Sequence, residues 1–219
     1  VLDYFSVSPE RITVTPLGLD HQRFHPEADR AAARHEIADP YFLLIGNLEP
    51  RKNLVVAIDA FEALPRALRE NLKLVHVGPR GWKNESIEAR IRKLVSDGDM
   101  IQLGYFPLEH LPGLYRGARA LIFPSLYEGF GLPLLEAMAV GTPVIASDCP
   151  VLVEVGGGAC LHFPGSDAEA LGGAMTRILT EPRVCRKLRE QGLRRAAEYS
   201  WQRTAMETVS VYHRVLQDG

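Results

Sequence analysis

Short apolar runs alternate along the chain with longer stretches in which apolar residues recur at helical spacing. The run Phe42-Leu43-Leu44-Ile45 is apolar throughout, as expected for a parallel strand buried on both faces. Strands that alternate with helices predict an α/β fold with a parallel sheet covered on both faces. The predicted strands are Ile12–Thr15, Tyr41–Ile45, Leu72–Val77, Met100–Leu103, Ala120–Phe123, Pro143–Ala146 and Cys160–Phe163. The predicted helices are Asn53–Leu64, Glu85–Ser96, Leu108–Gly117, Pro133–Val140, Asp167–Thr180, Pro182–Glu198 and Trp201–Leu216.

Two cations follow the predicted strand that ends at Ile45. Ligands of parallel sheets bind at the carboxyl ends of the strands, where Arg51 and Lys52 are expected to lie. Asn53 is a candidate N-cap for the helix that follows. Cations beside a helix N-terminus form a receptor for a dense anion such as a diphosphate. A solvated turn with two surface cations remains the alternative.

The loop after the predicted strand Ala120–Phe123 combines glycines with acidic residues. Gly129 and Gly131 let the backbone approach a ligand closely and point amides at its oxygens. Glu128 and Glu136 are eight residues apart, and a carboxylate can accept two hydrogen bonds from a vicinal diol. For Glu136 alone, a charge in the first turn of a helix is the structural alternative.

Composition and charge exclude several classes of protein and favour a globular one. With 219 residues, 46% hydrophobic and 24% charged, the chain can build an ordinary globular core. A formal net charge of −2 disfavours a nucleic-acid-binding protein. Three cysteines without CxxC spacing favour a reducing compartment over disulfides or zinc. No apolar run reaches the length of a membrane span, and the start lacks both Met and a signal peptide, so we expect a cytoplasmic piece of a longer protein.

Two segments, 46–53 and 124–146, resemble glycosyltransferase family 4, also called group 1. The most specific feature is Glu-x7-Glu around Gly-Phe-Gly-Leu-Pro, whereas Arg-Lys-Asn after Gly-x-Leu-Glu-Pro resembles a branch rich in mannosyltransferases. The family consists of retaining enzymes of the GT-B fold, in which two Rossmann-like domains face each other across a cleft. The resemblance therefore implies that residues 1–219 are a Rossmann-like half of such an enzyme, the donor nucleotide-sugar-binding domain with a helical C-terminal flank, without the N-terminal acceptor domain.

The resemblance also implies roles for individual residues. It assigns catalytic roles to Arg51, Lys52 and Glu128. It assigns donor binding to Glu136, Gly129, Phe130, Gly131, Leu132, Gly104 and Tyr105. In this assignment the two cations hold the diphosphate, Glu128 faces the sugar, Glu136 binds the ribose hydroxyls, the amides of residues 130–132 contact the sugar and phosphate, and residues 103–105 lie beside the base. Asn47 departs from the family, where many members carry Arg, so the diphosphate would depend more on Arg51.

The function that follows from the resemblance is transfer of a hexose, with mannose favoured, from a nucleotide diphosphate sugar to a glycan or lipid-linked acceptor. The nucleotide sugar is a substrate, no cofactor is implied, and the two cations make the expected reaction metal-independent. Because the acceptor site would lie in the absent domain, we expect this chain alone to bind donor weakly and to transfer nothing. Two alternatives stay open: a non-catalytic nucleotide-sugar-binding or scaffold domain, and a sugar-nucleotide epimerase of the same fold.

Three further features have plain structural interpretations. Asp97-Gly98-Asp99 matches a metal-binding Asp-x-Asp, yet it lies before a strand and is interpreted as a turn with Gly98 left-handed. His76, near the end of a predicted strand, is interpreted as a core histidine. The stretch 183–195 has six basic residues, which leaves open contact with anionic lipid at the inner face of a membrane; a solvated outer face is favoured.

Overall fold

A computed structural model describes residues 7–29, 37–38, 40–79, 81 and 85–217 of the chain. Its six strands form one parallel sheet in the order β3-β2-β1-β4-β5-β6. The strands are β1 (Tyr41–Ile45), β2 (Lys73–Val77), β3 (Met100–Gly104), β4 (Ala120–Phe123), β5 (Val144–Ser147) and β6 (Cys160–Phe163). This is the strand order of a Rossmann fold, so the α/β class predicted from the sequence is confirmed.

Nine α-helices lie within the described residues. They are α1 (Leu54–Glu62), α2 (Arg66–Arg69), α3 (Glu85–Ser96), α4 (Leu111–Gly117), α5 (Leu132–Ala139), α6 (Pro150–Gly156), α7 (Ala168–Thr180), α8 (Pro182–Ala197) and α9 (Trp201–Gln217). The last three follow β6 without a further described strand, so the helical C-terminal flank is confirmed. Among these helices, none is both long and apolar enough to cross a membrane.

Alternate residues of each strand belong to two different cores. Phe42 and Leu44 of β1 pack in a core with α1, α3 and α7, whereas Leu43 between them packs in the core with α4, α5 and α6. Both cores continue through the strands on either side of β1. Helices thus cover both faces of the sheet, which explains why its strands are apolar at nearly every position.

The strand order reverses between β1 and β4. From β1 the chain builds outward through β2 and β3, then returns to place β4 on the other side of β1. The loop after β1 leads to α1 on one face of the sheet, and the loop after β4 leads to α5 on the other face. In open parallel sheets, ligands bind at this switch point.

The predicted strand Ile12–Thr15 is wrong. These residues form no strand, and the segment lies along α9 instead of beside the sheet. The hydroxyl of Thr204 donates to the carbonyl of Pro16 at 2.7 Å, and Arg214 Nη1 donates to Thr13 Oγ1 at 3.3 Å. β-branched residues favour an extended chain, but a strand also needs a neighbour with free backbone groups, and α9 offers only side chains.

Two helices were missed in the sequence, α2 and α6. Both are short, and α6 lies between the predicted strands Pro143–Ala146 and Cys160–Phe163, where no helix was predicted. The turn at Asp97-Gly98-Asp99 is confirmed: Gly98 has φ +77°, and Lys73 Nζ donates to its carbonyl at 2.5 Å. Residues 1–6, on which the expectation of a preceding segment partly rests, lie outside the described ranges.

Candidate active site

Lys52, Arg51 and Glu128 meet where the loops after β1 and β4 come together. Lys52 Nζ lies 2.6 Å from Glu128 Oε1, and Arg51 Nη1 lies 3.4 Å from Glu128 Oε2. The side chain of Lys52 is 12% exposed and that of Glu128 10%, whereas that of Arg51 is 43% exposed. The sequence placed these residues on two loops 76 residues apart, and the structure joins them in one ionic cluster.

Local backbone structure fixes where Lys52 points. Pro50–Lys52 form a single 3₁₀ turn. The Lys52 stem runs over Gly46, where an added Cβ would lie 3.0 Å from Lys52 Cε, and its ammonium lies 4.9 Å from the centre of the Phe123 ring. A cation over an aromatic face is stabilised by the ring's negative face. Phe123 was not singled out in the sequence, where nothing distinguished it from other strand residues.

The two loops are tied to each other by hydrogen bonds. The amide of Leu126 donates to the carbonyl of Arg51 at 2.8 Å. The expectation that Asn53 caps α1 with its side chain is wrong, because Asn53 has φ +53° and makes no capping bond. Its Nδ2 donates instead to the carbonyls of Pro124, at 3.3 Å, and Gly165, at 2.7 Å. Asn53 therefore holds the loops after β1, β4 and β6 in register.

The glycine-rich loop ends in free backbone amides. Gly131 is the N-cap of α5 and has φ +100°, a conformation that favours glycine; a Cβ there would also lie 2.8 Å from Leu152 Cδ2. The amides of Phe130, Gly131 and Leu132 donate to no other described residue. They lie at a helix N-terminus, where the helix dipole favours an anion. At Gly129 an added Cβ would meet nothing within 4 Å, so this side of the loop is open.

Glu136 has a different environment from Glu128. It lies on α5, largely buried, and accepts a hydrogen bond at 2.6 Å from the hydroxyl of Tyr115 on α4. Burial raises the pKa of Glu136, while the Tyr115 bond and the charge of Arg23 act against that rise. Burial and the carboxylate raise the pKa of Tyr115 far above its ordinary value. Tyr115 was missed in the sequence because only helix packing brings it to Glu136.

No hydrogen bond or ion pair among the described residues joins Glu136 to the cluster around Lys52. A cavity of about 600 Å³ lies beside Arg23, and its lining includes Asp20, His25 and His110. Arg23 acts against the rise of the Glu136 pKa through its charge, although Glu136 does not itself line this cavity. The site therefore has two parts, an ionic cluster between the loops and a half-buried carboxylate on α5.

Gly104 and Tyr105 lie two strands away from β1, at the carboxyl end of β3. Gly104 has φ +62°, and its carbonyl accepts from the amide of Gly78 at 2.9 Å. Tyr105 is 84% exposed, so its ring is free of the core. With a strand spacing of about 4.8 Å, these residues lie roughly 10 Å from β1.

His76 lies under the loop that follows β1. Its ring is fully buried, Nε2 lies 2.8 Å from the carbonyl of Gly46, and Nδ1 has no described partner. Burial lowers the pKa of His76. The interpretation as a core histidine is therefore confirmed: the ring is buried, and one of its two nitrogens has a hydrogen-bond partner. Across the described residues, no three His, Cys, Asp or Glu side chains gather as metal ligands.

Comparison with known sequences decides the family. Residues 27–195 match the family described as Glycosyl transferases group 1. The chain belongs to this family. It is 33% identical over 216 residues to O-antigen chain mannosyltransferase B of Escherichia coli, covering 97% of this chain and 57% of that protein. It is 36% identical over 221 residues to the MMP alpha-(1->4)-mannosyltransferase of Mycolicibacterium hassiacum, covering 99% of this chain and 51% of that protein.

Solved structures agree with the family and the fold. Sucrose-phosphate synthase from Thermosynechococcus elongatus superposes with a TM-score of 0.83 and 29% identity, covering 94% of this chain and 53% of that one. WaaG, a glycosyltransferase involved in lipopolysaccharide biosynthesis, superposes with a TM-score of 0.75 and covers 95% of this chain and 58% of that one. The chain thus has the fold of one Rossmann-like half of a GT-B glycosyltransferase and spans about half the length of these relatives.

Proposed function

We propose that this chain is the donor-binding half of a retaining, metal-independent hexosyltransferase that uses a nucleoside diphosphate sugar. The observation that carries the proposal is the meeting of Lys52, Arg51 and Glu128 at the switch point of the sheet, next to free amides at the start of α5. Cations and amide dipoles suit a diphosphate. Two mannosyltransferases among the relatives, at 33% and 36% identity, support mannose as the sugar.

The proposed reaction separates charge between the sugar and the leaving diphosphate, and the fixed cations stabilise the negative charge on the diphosphate. The bond between the anomeric carbon and the β-phosphate oxygen breaks, and its electron pair moves to that oxygen. A new bond forms from the acceptor hydroxyl oxygen to the same face of the sugar, and the hydroxyl proton passes to the departing phosphate. Lys52 and Arg51 stabilise the growing negative charge, as preorganised electrostatic groups do in many transferases. Retention of configuration rests on the family resemblance.

Glu128 and Glu136 take different parts in this proposal. Glu128 lies against the cations that would hold the diphosphate, a place from which it can face the sugar. Glu136, half-buried with a neutral phenol as its hydrogen-bond donor, has further acceptor capacity for two hydroxyls of a ribose. Gly104, which is half-buried, and Tyr105, which is exposed, lie beyond β2 and would lie beside the base.

Metal independence is proposed because two protein cations already stand where a divalent ion would neutralise the leaving group. The acceptor, a glycan or a lipid-linked saccharide, would bind through the other half of a GT-B enzyme. Half a cleft contacts only half of its ligand, so we expect donor affinity below that of a two-domain enzyme. Measurable sugar transfer by this chain alone would contradict the assignment of the acceptor site, and loss of donor binding in EDTA would contradict metal independence.

Calorimetric titration with a nucleoside diphosphate tests the proposal. We expect the double variant Arg51→Ala with Lys52→Ala to lose binding. The control variant, Arg183→Ala with Arg194→Ala, removes the same charge from the exposed face of α8 and should bind as the native chain does. Unchanged affinity in the first variant would overturn the diphosphate role. A thermal-shift panel of nucleotide sugars then tests the sugar: mannose-bearing donors should raise the melting temperature most.

A further inference from the structure

A second concave surface lies at the opposite edge of the sheet from the candidate active site. It is a cavity of about 460 Å³, which we call the amino-edge cavity. Its described lining comes from the residues before β1, β4 and β5 and from one side of α8. The strands are four or five residues long, so the two edges lie roughly 13–17 Å apart. The packed sheet and its two cores lie between the edges, so the amino-edge cavity is separate from the candidate active site.

Four arginines line the amino-edge cavity. Arg116 lies in the last turn of α4, Arg119 precedes β4, and Arg186 and Arg189 lie on α8. None of the described residues that line this cavity is acidic. The chain as a whole has a formal net charge of −2, so this concentration of positive charge is local.

The charges of these arginines are not neutralised by the described residues. Arg116 Nη1 donates to the carbonyl of Ala28 at 2.8 Å, and Arg189 Nε donates to the carbonyl of Gly141 at 2.9 Å. These bonds fix two guanidinium groups in place and leave their charge uncompensated. The side chains of Arg119 and Arg186 make neither a hydrogen bond nor an ion pair within the described ranges. Arg51 in the active site, by contrast, contacts two carboxylates.

Cys185 lines the same cavity, and the charges of two of these arginines affect its pKa. Burial raises the pKa of Cys185, and the positive charges of Arg119 and Arg189 act against that rise. Glu181, one turn earlier, lies 3.4 Å from Arg177 and does not line the cavity. The charge of Glu181 acts on the Cys185 pKa in the opposite direction from the arginines, so the described counter-charge near this cavity comes from outside its lining.

We propose that the amino-edge cavity binds a phosphate group, carried either by a small phosphorylated molecule or by a lipid headgroup. Guanidinium groups bind phosphate oxygens in pairs, and several of them together select a multiply charged anion. The volume lies within the range of small-molecule sites. This site is separate from the proposed donor site, and neither depends on the other.

The test compares two double variants that remove equal charge. Arg119→Ala with Arg186→Ala truncates two side chains that make no described bond, so the fold should persist; a thermal melt checks this. The control is Arg183→Ala with Arg194→Ala, whose exposed side chains lie on α8 outside the cavity lining. Both variants keep Arg51 and Lys52, so binding of an anion at the donor site is common to both.

Three measurements are made on each variant: calorimetry with inorganic pyrophosphate, the protection of Cys185 from iodoacetamide by pyrophosphate, and sedimentation with phosphatidylglycerol vesicles beside phosphatidylcholine vesicles. We expect the cavity variant to weaken anion binding by roughly tenfold or more and the control by less than about twofold. Selective loss of pyrophosphate binding and of Cys185 protection would identify a free phosphorylated ligand. Selective loss of phosphatidylglycerol binding alone would identify a headgroup. Equal loss in both variants, or no anion binding in the native chain, would overturn the proposal.

Discussion

The carboxylates of Glu128, on a loop, and Glu136, on a helix, have opposite electrostatic environments. Glu128 is held by two cations, with Lys52 Nζ at 2.6 Å and Arg51 Nη1 at 3.4 Å. Glu136 is largely buried, its hydrogen-bond donor is the neutral hydroxyl of Tyr115, and burial raises its pKa. One carboxylate is electrostatically satisfied within the protein, whereas the other has acceptor capacity left over.

A bound donor would therefore change the two carboxylates differently. A diphosphate at Lys52 competes with Glu128 for the same ammonium, so some of the ionic cluster must rearrange. A ribose at Glu136 adds hydrogen bonds to a carboxylate that burial destabilises. In the proposed function the first region would supply charge for the reaction and the second would supply recognition, so substitutions in the two regions should differ in sign as well as in size.

The largest effect is expected from Lys52→Ala. It leaves Glu128 largely buried without its nearest cation, which costs about 3 kcal/mol of unfolding free energy for a broken buried pair. Nucleoside diphosphate affinity should fall roughly 30-fold, since a hydrogen bond to a charged group is worth about 2 kcal/mol. Urea unfolding and calorimetry measure the two quantities, and Lys52→Arg, which keeps the charge, serves as the control. Native-like affinity in Lys52→Ala would contradict the account.

Glu128→Gln should act in the opposite direction on nucleoside diphosphate binding. Without the carboxylate, Lys52 is free for phosphate and a repelling charge is gone, so affinity should increase roughly three- to tenfold, or about 1 kcal/mol. Calorimetry checks this against Glu190→Gln, which removes the same charge from α8. Weaker binding in Glu128→Gln would mean that Glu128 supports the diphosphate instead of competing with it.

Glu136→Gln should stabilise the fold while it weakens nucleotide binding. Glutamine can still accept from Tyr115 but carries no charge, so the gain should be about 1 kcal/mol at neutral pH, as is common when a functional site is relieved of a costly group. Ribose binding, which prefers a charged acceptor, should weaken roughly tenfold.

The pH dependence gives the sign of this third prediction. The pKa of Glu136 is raised in the folded protein above its ordinary value of 4.5, which applies to the unfolded chain. The folded protein therefore holds this proton more tightly. The contribution of Glu136 to the free energy of unfolding is fully present below the unfolded-state pKa. It is lost as the pH rises through the raised pKa of the folded state. The advantage of Glu136→Gln should therefore be absent in acid and grow with pH in chemical unfolding. An advantage that shrinks as pH rises would contradict the assigned burial effect.

The smallest effect is expected from Tyr115→Phe. It removes the hydroxyl that donates to Glu136 and keeps the ring in its buried position, at a cost of about 1 kcal/mol of unfolding free energy. Nucleotide affinity should fall only a few-fold, because Glu136 keeps its place on α5 but loses its orientation. Calorimetry on Tyr115→Phe beside Tyr212→Phe, whose side chain is exposed on α9, separates this effect from a general loss of tyrosine hydroxyls.

The two regions also differ in how much of them the sequence predicted. Arg51, Lys52 and Glu128 follow strand ends, and parallel strand ends meet at one edge, so their proximity was predictable. Tyr115 was not, because its contact with Glu136, 21 residues away, depends on the angle at which α4 packs on α5. The same limit explains Asn53, whose side chain reaches the loops after β4 and β6 instead of capping its own helix.

The most direct test of the central claim is a structure of this chain bound to a nucleoside diphosphate hexose. The account predicts the diphosphate within hydrogen-bond distance of Lys52 and the amides of residues 130–132, with the ribose hydroxyls on Glu136. A donor bound away from Lys52 and Glu136, including one seated only at the amino-edge cavity, would contradict it.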